Sequence, residues 1–203
     1  MPGESFAQIE RTFKRAVAAL REARVTALLG GSLAIWARGG PEVRHDLDFM
    51  VKPEDAERAL QALADAGMRP ERPPEGWLYK AWDGDVLVDV IFAPRGLPMT
   101  DEVIERAEQR EVMAISTRVM ALEDVFATKL LALDEHSASY SGILLAARSL
   151  REQVDWEALR ARTRESPFAK AFFVLAEELD IVPPARVEEP GRARVRVVES
   201  AEG

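Results

Sequence analysis

Three aspartates stand in segments that have the pattern of buried strands. Asp46 and Asp48 alternate with apolar residues over residues 46–51, so both side chains should lie on one face of a strand. Their Cα atoms would then be about 6.5–7 Å apart. Asp89 interrupts the otherwise apolar run VLVDVIF over residues 86–92, where an unpaired buried carboxylate would be costly.

A shared cation would stabilise these three carboxylates. Neighbouring carboxylates repel unless a cation lies between them, and oxygen ligands without histidine or cysteine suit Mg²⁺ or Mn²⁺. We therefore predict Asp46, Asp48 and Asp89 as metal ligands and catalytic residues. Taken alone, Asp46 and Asp48 are explained equally well as a solvated pair, or as a strand-end aspartate that caps a loop.

A glycine-rich turn precedes the aspartates. Gly30, Gly31 and Ser32 follow the apolar run Val25–Leu29 and open a helix, so backbone N–H groups and a hydroxyl could approach an anion such as a phosphate. A tight strand-to-helix turn without any ligand is the alternative interpretation.

Lys129 falls within the apolar stripe of a predicted helix over residues 121–135. A lysine that serves only the surface would be expected on the opposite face, near Asp124 or Leu131. We predict that Lys129 reaches a ligand's phosphates and contributes to catalysis. Its stem could instead lie along apolar surface with the ammonium in solvent.

The elements that position these residues follow from periodicity and turn signals. A helix over 4–22, a helix from 32 to about 38 and a helix between Pro53 and Gly67 accompany the strands. Strands are predicted at 25–29, 46–51, 77–83, 85–93 and 111–115, with a hairpin at Asp83-Gly84. Helices follow near 121–135, 139–152, 156–164 and 167–180. This pattern predicts an α+β core over residues 1–120, a helical lobe over 121–180 and a flexible tail over 181–203.

Composition excludes several classes of site. There is no cysteine, so thiolate chemistry is excluded. There are only two histidines, so a histidine-rich zinc site is unfavourable. No stretch is long and apolar enough for a membrane span, and we expect a cytoplasmic protein without a membrane partner. A net charge of −8 is unfavourable for nonspecific binding to long nucleic acid, although a local arginine cluster could bind RNA. The candidates are Arg148, Arg151, Arg160, Arg162 and Arg164; a solvated helix face is the alternative.

The combination ALLGGSLAIW, HDLDFMV and VLVDVIF resembles the polymerase-β-like nucleotidyltransferase superfamily. A Gly-Ser turn, an Asp-x-Asp strand and a third aspartate on a following strand occur here in the family's order, over about residues 25–93. Within the superfamily the chain looks most like abortive-infection-type nucleotidyltransferase toxins and their small bacterial relatives, and it is also similar to small antibiotic nucleotidyltransferases. Such relatives carry a lysine in a segment that resembles LEDVFATKLLAL.

The resemblance implies a minimal nucleotidyltransferase fold with a C-terminal helical lobe. It implies transfer of a nucleoside monophosphate from a nucleoside triphosphate such as ATP to an acceptor hydroxyl, with release of pyrophosphate. Gly31, Ser32 and Lys129 would bind the phosphates, and Asp46, Asp48 and Asp89 would hold Mg²⁺ or Mn²⁺. RNA, protein and small molecules remain open as acceptors. A toxin restrained by an antitoxin protein, an antibiotic-modifying enzyme and a catalytically inactive nucleotide-binding module remain open as roles.

Overall fold

The computed structural model describes residues 2–41 and 46–185. It is an α+β fold in which a seven-stranded mixed sheet is flanked by helices. Among the helices of the described residues, none combines the length and the apolar character needed to cross a membrane.

The sheet has the order β3-β4-β5-β2-β1-β7-β6. The β2–β5 and β1–β7 pairs are parallel and the other neighbours are antiparallel. The strand bounds are β1 Leu28–Leu29, β2 Asp46–Met50, β3 Arg69–Glu71, β4 Leu78–Asp83, β5 Val86–Ile91, β6 Glu108–Val112 and β7 Ile115–Val119. The predicted 46–51 strand and the hairpin between 77–83 and 85–93 are therefore confirmed within one or two residues.

Two helices cover one face of the sheet. These are α1 (Pro2–Glu22) and α3 (Ala56–Asp65), the latter entered through a 3-10 turn at Pro53–Asp55. Phe13 of α1 stacks on Phe49 of β2, with ring centroids 6.2 Å apart. Because side chains alternate along a strand, this packing turns Asp48 toward the opposite face.

The remaining helices lie mainly on that opposite face or beyond the sheet. They are α2 Gly31–Trp36, α4 Asp101–Glu105, α5 Leu122–Leu131, α6 Ser141–Leu150, α7 Trp156–Thr163 and α8 Pro167–Glu178. Helix α5 packs against α2, α6, α7 and α8, so it is the central helix of this group. Ile181 and Val182 are buried after α8, and residues 186–203 of the predicted flexible tail lie outside the described residues.

The environment of Asp124 differs from the sequence expectation. The helical pattern places Asp124 on the exposed face of its helix, but the residue is fully buried. Arg106 holds it at 3.1 Å and Arg162 also pairs with it, so two guanidinium groups compensate the buried charge. Helix α5 is therefore buried on most sides, and a single apolar stripe does not describe it.

The predicted single strand over residues 111–115 is wrong. These residues contain the turn of a hairpin between β6 and β7, in which Val112 pairs with Ile115. Met113 and Ala114 form the two-residue turn with φ of 50° and 60°. Such turns normally carry glycine or asparagine, so the sequence contained no signal for this one.

Candidate functional site

Two of the predicted aspartates face each other across neighbouring strands. Asp48 of β2 lies in register with Asp89 of parallel β5, which places their Cα atoms about 4.8 Å apart. Residues in register share a sheet face, so both carboxylates point away from α1 and α3. Asp46 lies two residues earlier on the same face of β2, where it is exposed. The three predicted ligands thus share one face of the sheet.

The glycine turn lies directly against Asp48. The N–H of Gly30 donates to the carbonyl oxygen of Asp48 at 2.8 Å, and the N–H of Ser32 donates to its carboxylate. Gly31 has φ +54°, and a Cβ at this position would lie only 1.6 Å from Oδ2 of Asp48. The turn can therefore approach the carboxylate only because residue 31 is glycine.

The aspartates perturb one another. Burial raises the pKa of Asp48 to about 6, the Lys129 ammonium opposes this rise, and the charges of Asp89 and Asp46 add to it. Burial also raises the pKa of Asp89, which Lys80 counteracts and Asp46 reinforces. These carboxylates are close enough to repel, as ligands of one cation site would be without the cation.

Lys80 is a member of the site that the sequence analysis missed. It lies in register with Asp89 on β4, and its Nζ donates to Oδ1 of Asp89 at 3.2 Å. Lys80, Asp89 and Asp48 therefore form a row across three adjacent strands. The predicted turn at Asp83-Gly84 would instead pair Lys80 with Leu87. The turn lies one residue later, so that Asp83 pairs with Val86 and Lys80 with Asp89.

Lys129 lies between two cavities in front of this row. The first, the Trp77 cavity, has a volume of about 670 Å³ and is lined among others by Gly31, Asp48, Trp77, Arg95, Lys129 and Asp134. The second, the Ser32 cavity, has a volume of about 560 Å³ and is lined among others by Ser32, Ile35, Lys129, Ser139, Ile143 and Leu145. The half-buried Lys129 therefore belongs to one cleft together with Gly31, Ser32 and Asp48.

Trp77 was also missed by the sequence analysis. The residue is 40% exposed, which is unusual for one with so large an apolar side chain in the described part of the chain. It precedes β4, and its carbonyl oxygen accepts hydrogen bonds from the N–H groups of Phe92 and Ala93, both at 3.1 Å. No periodicity in the sequence distinguishes this tryptophan from a core residue.

The carboxylate oxygens of Asp46, Asp48 and Asp89 suit a hard divalent cation, although they do not converge on one point in this structure. Within residues 2–41 and 46–185, no three histidine, aspartate or glutamate side chains come close enough to hold one ion. Asp89 is instead paired with Lys80. Three repelling carboxylates on one sheet face nevertheless fit Mg²⁺ or Mn²⁺, because rotation of side chains would bring in-register oxygens toward a common centre.

The predicted arginine cluster is not assembled as a free basic surface. Arg162 pairs with buried Asp124, and Arg160 pairs with Glu177 at 2.6 Å. Arg164 is exposed and pairs with its neighbour Glu165. Two of the five candidate arginines therefore have structural partners inside the helical group.

The model of a family described as uncharacterised nucleotidyltransferase matches residues 7–185. Comparison with curated proteins gives no match.

Two solved structures share the fold. The solution structure of the antibiotic-resistance factor ANT(2'')-Ia has a TM-score of 0.58 and 20% identity, over 87% of this chain and 98% of that chain. The lincomycin-bound lincosamide antibiotic adenylyltransferase LnuA has a TM-score of 0.51 and 12% identity, over 71% of this chain and 97% of that one. At these identities the likeness shows the fold alone.

Proposed function

Because the chain belongs to the family described as uncharacterised nucleotidyltransferase and is thus a transferase, we propose the following reaction. The protein transfers a nucleoside monophosphate from a nucleoside triphosphate to a hydroxyl of a small-molecule acceptor. The transfer depends on a divalent metal ion. One observation carries the proposal: Asp48 and Asp89 lie in register on β2 and β5, and the Gly31-Ser32 turn closes directly on Asp48. Asp48 and an anion-accepting turn thereby line one cleft, and Asp89 lies beside Asp48 on the neighbouring strand.

The donor phosphates are proposed to lie between the turn and α5. Ser32 is exposed and lines the same cavity as Lys129, so its hydroxyl can donate to a phosphate. Lys129 can place its ammonium against phosphate oxygens, while Gly31 leaves room for them. These contacts orient the triphosphate and neutralise charge, which is the main contribution that a protein makes to phosphoryl chemistry.

Asp46, Asp48 and Asp89 are the residues that would hold Mg²⁺ or Mn²⁺. The chemistry that such an ion supplies is neutralisation of the phosphate charge and polarisation of the attacked phosphorus. Asp89 has a second role as acceptor of a hydrogen bond from the attacking hydroxyl, which it orients and from which it takes the proton.

The acceptor is proposed to be a small molecule. The two solved structures that share the fold are described as an antibiotic-resistance factor and a lincosamide adenylyltransferase. The cavity of about 670 Å³ that Asp48 helps to line lies within the size range of small-molecule sites. The internal pairing of Arg160 and Arg162 is unfavourable for RNA as the acceptor. A toxin role with an antitoxin partner would use the same chemistry, but nothing in these comparisons supports it.

The two predicted regions of the chain would supply different parts of the site. We propose that residues 1–120 supply the carboxylates and the glycine turn, and that residues 121–180 supply Lys129 and the facing wall. The proposed donor fits the cytoplasmic location that the sequence analysis predicted.

Pyrophosphate release tests the function. The protein is incubated with each nucleoside triphosphate, Mg²⁺ or Mn²⁺, and a panel of hydroxylated small molecules. Asp48→Asn should abolish release, because it removes a charged oxygen from the proposed metal site. Asp65→Asn is the matched control, because Asp65 is exposed on α3, on the other side of the sheet. Equal release by wild type and Asp48→Asn would refute the assignment of the site.

A further inference from the structure

The Trp77 cavity has the composition of a binding site for a ring compound. Its lining includes the apolar residues Met50, Ile91 and Pro94, together with Trp77, which is exposed. Arg95, Thr128 and Asp134 provide polar groups, and the cavity also reaches Gly31, Asp48 and Lys129 of the proposed donor and metal site. A mostly apolar wall with a few polar groups is typical of small-molecule sites.

Backbone hydrogen bonds connect Trp77 to the segment after β5. Two N–H groups of the segment after β5 donate to its carbonyl oxygen. The residue is nevertheless 40% exposed. A fixed backbone with an exposed indole is what a stacking platform requires, since little conformational entropy is lost on binding.

In-line geometry indicates which substrate this cavity holds, given the proposed function on which the inference rests. The sheet order β4-β5-β2-β1 places Ser32, which follows β1, on one side of the Asp48–Asp89 pair. Trp77, which precedes β4, lies on the other side. The attacking oxygen and the departing pyrophosphate must lie on opposite sides of the α-phosphorus. Phosphates at Ser32 therefore require the acceptor to approach from the Trp77 side.

We propose that Trp77 is a specificity-determining residue that stacks against the acceptor, and that the acceptor is a small hydroxylated ring compound with an apolar ring face. Its hydroxyl oxygen forms the new bond to the α-phosphorus. The bond from that phosphorus to the bridging oxygen breaks, and its electron pair leaves with pyrophosphate. The hydroxyl proton passes to Asp89.

Steady-state kinetics separate the acceptor side from the donor side. Trp77→Ala should raise the KM for the acceptor about tenfold and leave the KM for the nucleoside triphosphate within about twofold. Trp77→Phe should recover most of the loss, because it retains an aromatic face. Leu175→Ala is the matched control, because Leu175 is an apolar residue of similar exposure, 38%, that lines neither cavity. Both KM values should stay at the wild-type level in this variant. A larger effect of Trp77→Ala on the donor KM would overturn the assignment.

Binding tests the inference without turnover. Lincomycin, tobramycin and methyl α-D-glucopyranoside serve as probes, with a short RNA oligonucleotide for contrast, in the presence of Mg²⁺ and a non-hydrolysable nucleotide analogue. At least one ring compound should quench the tryptophan fluorescence of the wild type but not that of Trp77→Ala, while RNA does not. Quenching by none of the three compounds, or equal quenching in the variant, would overturn the proposal. If quenching depends on Trp77 but no acceptor releases pyrophosphate, the acceptor site stands and the proposed function fails.

Discussion

Gly31 and Asp48 are in such close contact that a side chain at position 31 is excluded. A Cβ there would lie 1.6 Å from Oδ2 and 2.4 Å from Cγ of Asp48, and the backbone has φ +54°. The constraint therefore has two parts, a steric overlap with a candidate metal ligand and a left-handed backbone. These two parts can be separated by mutation.

Gly31→Ala should destabilise the protein by about 2–3 kcal/mol and abolish transfer. A left-handed alanine costs about 1 kcal/mol, and displacement of Asp48 accounts for the rest. Gly39→Ala is the control, because Gly39 has φ +90° but nothing lies within 4 Å of its would-be Cβ. Gly39→Ala should lose only the stability that a left-handed alanine costs, about 1 kcal/mol, and should retain activity. Chemical denaturation and pyrophosphate release measure both effects, and equal losses in the two variants would disprove the steric part.

Asp48→Asn should stabilise the metal-free protein above pH 6. The pKa of Asp48 is raised to about 6, chiefly by burial, so the folded protein binds this proton more tightly than the unfolded chain. Stability therefore falls as pH rises from about 4 to 6, and the full cost persists at higher pH. Asparagine avoids that cost and can still accept the N–H of Ser32.

The expected gain is up to about 3 kcal/mol at pH 8, and it should vanish near pH 4. Thermal unfolding in EDTA at several pH values measures it. A variant less stable than wild type at pH 8 would show that the charge of Asp48 is structurally required. In that case Asp48 would be a structural ion-pair partner rather than a candidate metal ligand.

Lys80→Met should strengthen metal binding and weaken the metal-free fold. The ammonium of Lys80 pairs with Asp89 at 3.2 Å, where it competes with any cation that uses the same oxygen. Its removal leaves a largely buried carboxylate unpaired, which should cost about 2 kcal/mol without metal. Binding of Mn²⁺ should tighten by about tenfold, as measured by electron paramagnetic resonance titration.

Lys52→Met is the control for that experiment. The side chain of Lys52 has the same 24% exposure as that of Lys80, and it pairs with Asp101 at 2.6 Å, outside both cavities. Mn²⁺ affinity should not change in this variant. Weaker Mn²⁺ binding in Lys80→Met would show that Lys80 supports the metal site instead of competing with it.

Local sequence signals determined how much of the site could be predicted. Alternation along DLDFMV placed Asp46 and Asp48 on one face, because a core strand keeps its period of two. The ion pairs of Asp124 with Arg106 and Arg162 could not be predicted, because these arginines lie 18 and 38 residues away in sequence. The exposure of Trp77 could not be predicted either, because it depends on the hydrogen bonds that the segment after β5 donates to its carbonyl oxygen.

Lys129→Met should weaken the apparent affinity for nucleoside triphosphate at least tenfold, because a charge-assisted contact to phosphate is lost while the stem is kept. A nucleoside without phosphates should bind equally well to both proteins. Lys170→Met is the control, because Lys170 is exposed on α8 and lines neither cavity. Donor KM and calorimetric titration measure the effect. Unchanged kinetics would remove Lys129 from the site.

Arg160 and Arg164 test the exclusion of RNA, but only one of them can be interpreted. The Arg160 side chain is 16% exposed, pairs with Glu177 at 2.6 Å and lies 4.2 Å from the ring centre of Phe173. Arg160→Glu should therefore unfold part of the helical group, with a loss of about 3 kcal/mol, and reduce transfer to every acceptor.

Arg164→Glu is the informative variant. The Arg164 side chain is 76% exposed and pairs with adjacent Glu165, so charge reversal should change stability by less than about 0.5 kcal/mol. With a small-molecule acceptor, its transfer rate and salt dependence should match those of the wild type. If RNA is the acceptor, loss of a phosphate contact should lower transfer and flatten its dependence on salt, because fewer counterions are released. Transfer measured from low to moderate salt, with RNA and with a small hydroxylated compound, distinguishes the two. A selective loss with RNA would contradict the small-molecule assignment and return the helical group to consideration as an RNA-binding surface.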